Sequence, residues 1–115
     1  MAEITTQAYD NLRNYIQTNW NYIELRNDLG TGIVRLNPTD TRVTSTLEGQ
    51  TVKLQVIVKG SDTDITYPVT ISSSAIYDVT TGGNAYSVES FTPFTIESDQ
   101  DELTVIHNIE VPQVI

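Results

Sequence analysis

Alternation of apolar and polar side chains over residues 51–59, broken only at Ile57, constrains the fold of this chain more than any other feature. The apolar positions are Val52, Leu54, Val56 and Val58, and the positions between them are Lys53, Gln55, Ile57 and Lys59. A period of two belongs to a β-strand, because its successive side chains point to opposite faces of a sheet. The segment therefore predicts a strand with one face buried against a core, which requires a sheet around it.

The same period continues through most of the chain after Trp20. Further strands are predicted at residues 20–26, 33–36, 43–47, 65–71, 75–79, 85–90, 91–97 and 103–111, with turn-forming Gly, Asn, Asp and Pro between many of them. We expect the strands over 51–59 and 65–71 to pair as a hairpin across the loop 60–64. Because Pro68 has no N–H to donate, that second strand is expected at a sheet edge or with a bulge.

The N-terminal segment has a helical period instead. Its apolar residues recur every four positions, at Ile4, Ala8, Leu12 and Ile16. This stripe predicts a helix over about residues 5–18 with its apolar side toward the core. Thr5 or Thr6 is the expected N-cap, and Arg13 is expected on the side that faces water.

Together these patterns predict a mainly β fold. The expected architecture is an antiparallel β-sandwich, immunoglobulin-like or an open barrel, with about seven to nine strands and one N-terminal α-helix. The chain has 115 residues, which suits one domain over residues 1–115, with the sandwich from about residue 20 onward. The apolar C-terminal segment 111–115 is expected to dock on its own sheet or on a neighbour.

Composition narrows the classes of partner and compartment. Six basic and fifteen acidic side chains leave a net charge of −9. Nucleic acid and membranes are therefore not expected as partners, because binding nucleic acid or an anionic surface begins with Lys and Arg. The chain has no cysteine, hence no disulfide or thiolate metal site. No secretion signal or membrane span is recognisable, so synthesis in a cytoplasm is expected.

His107 is the only histidine, and it is the first residue to consider for chemistry. A metal ligand or a general base needs partners at suitable spacing, and no second His, Cys or carboxylate stands beside it in the sequence. We expect it in the core or in an interface. The serines have neither a G-x-S-x-G motif nor a second base, so a hydrolytic triad is not expected.

Two acidic groups raise the alternative of calcium binding. They are Asp62 with Asp64, and Asp99 with Asp101 and Glu102. Calcium takes six or more oxygens and these groups supply only part of such a set, so turn formation is the favoured interpretation. Spacing alone does not exclude a carboxylate pair for glycoside cleavage. Neither 30–32 nor 82–83 has the Lys-Ser or Lys-Thr of a phosphate loop, so both are predicted turns.

Seven aromatic side chains along the strands suggest a second alternative, a carbohydrate platform. They are Trp20, Tyr22, Tyr67, Tyr77, Tyr86, Phe91 and Phe94. Aromatic residues scattered in this way are more typical of core and subunit interface. The sequence therefore predicts no enzyme, and no catalytic, cofactor-binding or metal-binding residue.

The order of several short motifs resembles a known family. A helix containing Asn11-Leu12-Arg13-Asn14 leads into a strand and then into the turn Leu29-Gly30-Thr31-Gly32. Near the end come Ile76-Tyr77-Asp78-Val79-Thr80-Thr81-Gly82-Gly83, an aromatic-rich segment, and Asp99-Gln100-Asp101-Glu102-Leu103-Thr104-Val105. This order is similar to that of small virion proteins of tailed bacteriophages of the tail-fibre or collar type. The stretch 39–51 is shorter than in that family, so no fibre or receptor contact is carried over for it.

The resemblance implies a non-enzymatic structural role in virion assembly, as a collar or fibre-attachment subunit. It implies a homo-oligomer, either a ring or a trimer, in contact with other proteins of the neck, tail, fibre or capsid. The protein would be made in the host cytoplasm and found in the virion. The alternatives are a capsid decoration or head-fibre protein, or a carbohydrate-binding module for host recognition.

Overall fold

One helix and seven strands build the part of the chain that this computed structural model describes, residues 2–113. Their order is α1 (Thr6–Asn19), β1 (Tyr22–Asn27), β2 (Gly32–Leu36), β3 (Val43–Glu48), β4 (Thr51–Lys59), β5 (Val69–Tyr77), β6 (Ser87–Ile96) and β7 (Glu102–Glu110). The strands form two antiparallel sheets. The predicted mainly β sandwich with one N-terminal helix is confirmed.

The two sheets contain four and three strands, in the orders β2-β1-β5-β6 and β3-β4-β7. β1 and β2 form a hairpin in the four-stranded sheet, and the chain then crosses to β3 and β4 of the three-stranded sheet. In an immunoglobulin constant domain the four-stranded sheet has the first, second, fifth and fourth strands in that order. The order here differs, so the sandwich has its own connectivity.

Strand β4 is the centre of the smaller sheet, and its alternation is as predicted. Val52, Leu54, Val56 and Val58 are all fully buried. The strand pairs with β3 on one side and with β7 on the other. The pairing with β7 runs from Thr51 opposite Glu110 to Lys59 opposite Glu102. The facing sheet contributes Ile23, Leu25, Leu36, Ile71, Ile76 and Ile96 to the same core. Each such side chain stabilises the fold by about 1.5–3 kcal/mol.

The predicted hairpin between residues 51–59 and 65–71 is wrong. β4 lies in the smaller sheet, whereas β5 lies in the larger one between β1 and β6. The connection crosses the sandwich instead of folding back, and Ile65 is buried in the core on the way. Alternation determines which side of a strand is buried, but it does not select the neighbouring strand.

For the strand that follows Pro68, the predicted edge position is wrong, but the alternative of a bulge agrees with a register shift in β5 between Ile71 and Ser73. Pro68 itself lies before β5, which starts at Val69 and is an interior strand of its sheet. The Tyr67–Pro68 peptide bond is cis. A proline is tolerated at this position because the ladder has not yet begun, so no N–H is missing from it.

The strands predicted separately at 65–71 and 75–79 are one strand in the structure, and so are those predicted at 85–90 and 91–97. Residues 69–77 form the single strand β5, and residues 87–96 form the single strand β6. The serines at 72–74 interrupt the apolar pattern but not the strand, because Ser73 and Ser74 are buried between neighbouring strands. A register shift in the pairing of β5 with β6 falls between Ile71 and Ser73.

The loop after β4 is closely packed at Gly60. A Cβ atom at this position would lie 1.9 Å from the backbone oxygen of Ser98. The Gly60 amide also donates to the carbonyl of Asp101, with an N–O distance of 2.9 Å. Only glycine fits where two backbones approach so closely, and the contact joins the end of β4 to the turn before β7.

The helix begins as predicted but is oriented differently. Thr5 is the N-cap, and its hydroxyl accepts a hydrogen bond from the Ala8 amide at 3.2 Å. The buried side chains are Tyr9, Arg13 and Ile16, whereas Ile4 and Leu12 are 53% and 46% exposed. The predicted inward stripe, which includes Tyr9 and Tyr15 beside the four-residue repeat, is right at Tyr9 and Ile16 but wrong at Ile4, Leu12 and Tyr15. The prediction that Arg13 faces water is wrong.

Arg13 is buried because it binds the end of the chain. Its Nε and Nη2 donate to the Val111 carbonyl at 3.0 and 2.5 Å, and its Nη1 donates to Asp10. The Val111 amide in turn donates to the carbonyl of Gln50, and its side chain packs against the core. Thr6 donates to the side chain of Gln113. Residues 114 and 115 of the predicted docking segment lie outside the described residues, as does Met1.

Candidate functional site

A buried polar cluster joins the two sheets at His107. The side chain comes from β7, and it points between Ser74 of β5 and Ser87 of β6. Its Nδ1 lies 2.7 Å from the Ser74 Oγ, and its Nε2 lies 2.8 Å from the Ser87 Oγ. Both His107 and Ser74 are 0% exposed. The sequence did not indicate this grouping, because the serines lie 33 and 20 positions away in the chain.

The cluster is suited to a neutral imidazole. One ring nitrogen donates and the other accepts, and a hydroxyl can take either role. Burial lowers the pKa of His107 to about 4, since a charged ring would lose its hydration. Among residues 2–113, no charged side chain offsets this effect of burial on the ring.

This geometry does not support nucleophilic catalysis. A serine nucleophile needs a base that an acid group orients, and it needs access to a substrate. Here the ring nitrogens contact two hydroxyls, and Ser74 has no exposed surface. The cluster instead cross-links β7 to β5 and β6, and it satisfies polar groups in the core. Every buried side-chain nitrogen and oxygen of the described residues has a hydrogen-bond partner.

The first acidic pair is bound to an arginine. Arg42 donates to Asp40 at 2.9 Å, to Asp62 at 3.2 Å and to Asp64 at 2.8 Å. Hydrogen bonds from Arg42 lower the pKa of Asp40 and that of Asp64. The guanidinium thus occupies the position where a cation would have to bind. This ion cluster ties the loop after β2 to the loop after β4.

The second acidic group forms a turn. The Asp101 carboxylate accepts from the amides of Glu97 and Ser98, at 2.7 and 3.2 Å, and it closes the bend before β7. Across residues 2–113, no group of three or more His, Cys, Asp or Glu side chains could hold a metal ion. The predicted glycine turns are also turns in the structure, with Gly30 and Gly82 at positive φ.

Sequence reasoning missed a second charged cluster, on the outer side of the larger sheet. Glu24 pairs with Arg26 and Arg35 at 3.0 Å each, and Arg35 lies 3.5 Å above the Tyr77 ring. Burial raises the pKa of Glu24, but the hydrogen bonds from the two arginines outweigh this and lower it overall. Arg35 also donates to the carbonyl of Gly82 at 2.8 Å. The cluster therefore holds the 78–83 loop against the sheet.

The seven aromatic residues do not form one platform. Trp20 and Tyr86 stack, with ring centroids 5.0 Å apart and planes at 24°, and the Tyr86 hydroxyl donates to Asp78 at 3.3 Å. Tyr77 is buried under Arg35. Phe91 and Phe94 pack against the core, beside an apolar groove between β6 and β7.

The helix and the residues just before it carry a shallow, open depression on their outer side. We call it the outer helix face, and it consists of Ile4, Ala8, Asn11, Leu12, Asn14, Tyr15, Thr18 and Asn19. None of these eight side chains is charged. Tyr15 is 59% exposed. No helix described in the structure has the length and apolarity that a membrane crossing requires.

Comparison of the chain with protein-family models, with curated protein sequences and with solved structures gave no match in any of the three.

Proposed function

We propose that this protein is a non-enzymatic structural subunit of a tailed-bacteriophage particle, of the collar or fibre-attachment type. It acts in virion assembly as a homo-oligomer that also contacts other virion proteins. The observation that carries the structural role is the outer helix face, an uncharged surface on a strongly acidic chain where Leu12 and Tyr15 are exposed among polar side chains. The assignment to a virion depends on the order of sequence motifs alone.

The cluster of His107, Ser74 and Ser87 supports a non-catalytic role. The side chains best suited to proton transfer are His107 and its two serine partners, and they serve to join the sheets. Arg42 forms ion pairs with Asp40, Asp62 and Asp64, and its single positive charge offsets one of their three negative charges. The described surface offers a partner unpaired backbone edges and exposed apolar side chains, which are elements of an assembly interface, beside its many acidic groups.

The sheet edges supply a second kind of assembly surface. β2 and β6 are the outer strands of the larger sheet, and β3 and β7 are those of the smaller one. Strands at an edge have unpaired N–H and C=O groups that another chain can pair with. Pro93 interrupts this pattern within β6, which limits pairing there. A ring or trimer would use such edges together with the helix.

The test is to locate the protein in particles. Antibodies raised against the recombinant protein are applied to purified phage particles, and gold label is viewed by electron microscopy. Label at the neck, tail or fibre bases is the expected result. Label over the whole capsid lattice would favour the alternative of a decoration or head-fibre protein, and particles that lack the protein altogether would contradict a virion role.

A carbohydrate-binding module is the other alternative, and the Trp20–Tyr86 stack with its neighbour Asp78 favours it. Aromatic faces beside a carboxylate are able to hold a sugar ring and one of its hydroxyls. A glycan array separates the two functions. Binding that is lost in Tyr86→Ala would support host recognition, and an array without signal would leave the structural role.

A further inference from the structure

Of the four edge strands, β7 alone is both long and unbroken. It has nine residues, and all of them pair with β4 in one continuous register. Among residues 2–113, its backbone hydrogen bonds go to β4 and to no other strand. The N–H and C=O groups along its other side are therefore unpaired, and an extended chain can bind them.

The other three edges have features that limit pairing. Natural sheets protect their edges with short strands, bulges, proline or a covering element. β2 has five residues, β3 has six and lies near α1, and β6 contains Pro93 and has a register shift in its pairing with β5. β7 has none of these features. It contains no Pro, Gly or Lys, and acidic residues stand only at its two ends, Glu102 and Glu110.

An apolar groove lies beside this free edge, between β7 and β6. Phe91 and Phe94 of β6 and Leu103 of β7 border it, and all three are partly buried against the core. A strand added to β7 would lie over the groove, because β6 and β7 adjoin on this side of the sandwich. Every second side chain of that strand would point toward the groove. The groove therefore favours a partner with apolar residues at alternate positions.

The acidic ends of β7 specify the charge of the partner. Glu102 and Glu110 are the first and last residues of the strand, and both are exposed. On the paired side of β7, a cation already lies opposite one of them, since Lys59 of β4 faces Glu102. Cross-strand pairs of opposite charge stabilise a sheet, and like charges destabilise it. The net charge of −9 also attracts basic segments and repels acidic ones.

We propose that the free edge of β7 binds an extended segment of another protein, which adds as an antiparallel strand. The segment has apolar residues at alternate positions and Lys or Arg opposite Glu102 and Glu110. It extends the smaller sheet from three strands to four. This inference rests on the proposed function for the identity of the partner, another virion protein, and it deepens that function by naming the contact surface.

A second copy of this chain is a poorer occupant of the same edge. Ile106 is the middle residue of β7. If two β7 strands paired about a two-fold axis at Ile106, Glu102 of each copy would lie opposite Glu110 of the other. These like charges oppose the pairing, and so does the net charge of −9 on each copy. The edge is therefore better matched to a different, basic chain.

Titration of the ¹⁵N-labelled full chain with synthetic peptides, followed by NMR amide shifts, tests the proposal. The probe KVTLQVTVK alternates apolar and polar residues and has a lysine at each end, and EVTLQVTVE is its acidic counterpart. We expect the basic peptide to shift the amides of residues 102–110, Phe91 and Phe94, and to bind at least tenfold more tightly than the acidic one. No binding at about 1 mM basic peptide, or shifts confined to other strands, overturns the proposal.

Exchange of the two glutamates tests the charge match. Glu102→Lys/Glu110→Lys should reverse the preference, so that the acidic peptide binds more tightly than the basic one. The matched control is Glu3→Lys/Asp28→Lys, which changes the net charge equally at exposed residues outside β7. The control variant should still prefer the basic peptide. A preference that changes alike in both variants would show that only net charge matters, and the edge contact would be refuted.

N-methylated peptides test whether the bound segment forms a strand. Two versions of the basic peptide are made, each N-methylated at one of its two alternating sets of residues. In a strand, the N–H groups of one set face the neighbouring strand and those of the other set face away. One version should therefore bind at least tenfold more weakly than the other. Equal affinities would mean that the peptide adsorbs to the groove without pairing, which contradicts the proposal.

Three outcomes separate this inference from the others. Amide shifts of β7 that appear with rising protein concentration and without peptide would replace the partner by a second copy. Peptide binding at β7 by a protein that is absent from particles would leave the contact standing and refute the virion role. Label on particles, together with a β7 edge that binds no peptide, would do the reverse.

Discussion

β4 and α1 are both amphipathic in sequence, yet only the strand buries the side that its pattern indicates. In β4 the apolar positions are Val52, Leu54, Val56 and Val58, and all are in the core. In α1 the predicted stripe contained Leu12, which is exposed, while the buried side contains Arg13. A strand has only two faces, so the alternation of apolar and polar residues specifies which face is buried. A helix has a continuous surface, and the side that is buried follows a different stripe, through Tyr9, Arg13 and Ile16.

The difference also concerns what each element packs against. β4 is enclosed by β3, β7 and the facing sheet. Its apolar side can therefore face only the core between the two sheets. The helix lies at the side of the sandwich near β3 and β4, and it is attached by the hydrogen bonds of Arg13 to Val111. A polar contact to a distant carbonyl thus selects which side of the helix faces inward, and the other side is exposed.

The largest expected effect comes from truncating one leucine in each element. Leu54→Ala should lower the free energy of unfolding by about 3 kcal/mol, because the core cannot fully close the cavity. Leu12→Ala should change it by less than about 0.5 kcal/mol, since the side chain is exposed in the monomer. Urea denaturation at 5 μM or less measures both values without self-association. Similar losses for the two variants would show that the helix buries Leu12 after all.

The second expected effect is a pH dependence that arises in the core of the sandwich. The pKa of His107 is about 4 in the folded chain and near its ordinary 6.5 in the unfolded chain. Below pH 6.5 the His107 side chain binds a proton in the unfolded state but stays neutral in the folded state. The contribution of His107 to stability is therefore constant above pH 6.5 and falls as the pH drops from 6.5 to 4, by about 3 kcal/mol in total.

Chemical denaturation at half-unit pH steps measures this slope, and His107→Gln is its control. Glutamine does not titrate and retains a donor and an acceptor for Ser74 and Ser87. The variant should be less stable at pH 7 but nearly flat between pH 6.5 and about 5. Glu24, Asp40 and Asp64 have lowered pKa values, so their contribution is lost only at more acidic pH. An unchanged slope in the variant would assign it to groups other than His107.

A third experiment examines the inner side of the helix. Arg13→Ala removes the donors to the Val111 carbonyl and leaves space beside Tyr9. We expect a loss of about 2 kcal/mol, because the carbonyl loses its charged partner and the apolar stem of the arginine is also lost. Arg13→Met keeps most of the stem, so its difference from Arg13→Ala separates packing from hydrogen bonding. A neutral result for both would mean that Ile16 alone docks the helix.

The smallest of these effects concerns the start of the helix. Thr5→Ala removes the acceptor for the Ala8 amide and should lower stability by about 1 kcal/mol, a typical value for an N-cap. Thr5→Ser retains the hydroxyl and should remain within a few tenths of a kcal/mol of the wild type. Thermal unfolding followed by circular dichroism is sufficient. A loss equal to that of Arg13→Ala would indicate that the cap and the docking of the helix are one cooperative unit.

Short-range patterns predicted much of the architecture, but they did not predict the clusters. Thr5, the β4 alternation and the glycine turns depend on neighbours within a few residues, and all were identified correctly. Arg42 with Asp62 and Asp64 depends on a contact across 20 and 22 positions. The sequence pattern showed two acidic residues in a turn, but it could not show that the Arg42 guanidinium approaches them from another loop.

The amino-acid sequence alone determined that the fold is a β-sandwich with one helix, and where most of the turns fall. These properties follow from side-chain periodicity and local hydrogen bonding, which act over a few residues. Only the tertiary structure decided that β4 and β5 belong to different sheets, that His107 lies between two serines, and that Leu12 faces outward. Each of those outcomes depends on which distant segments meet, and that is set by packing of the whole chain rather than by any local preference.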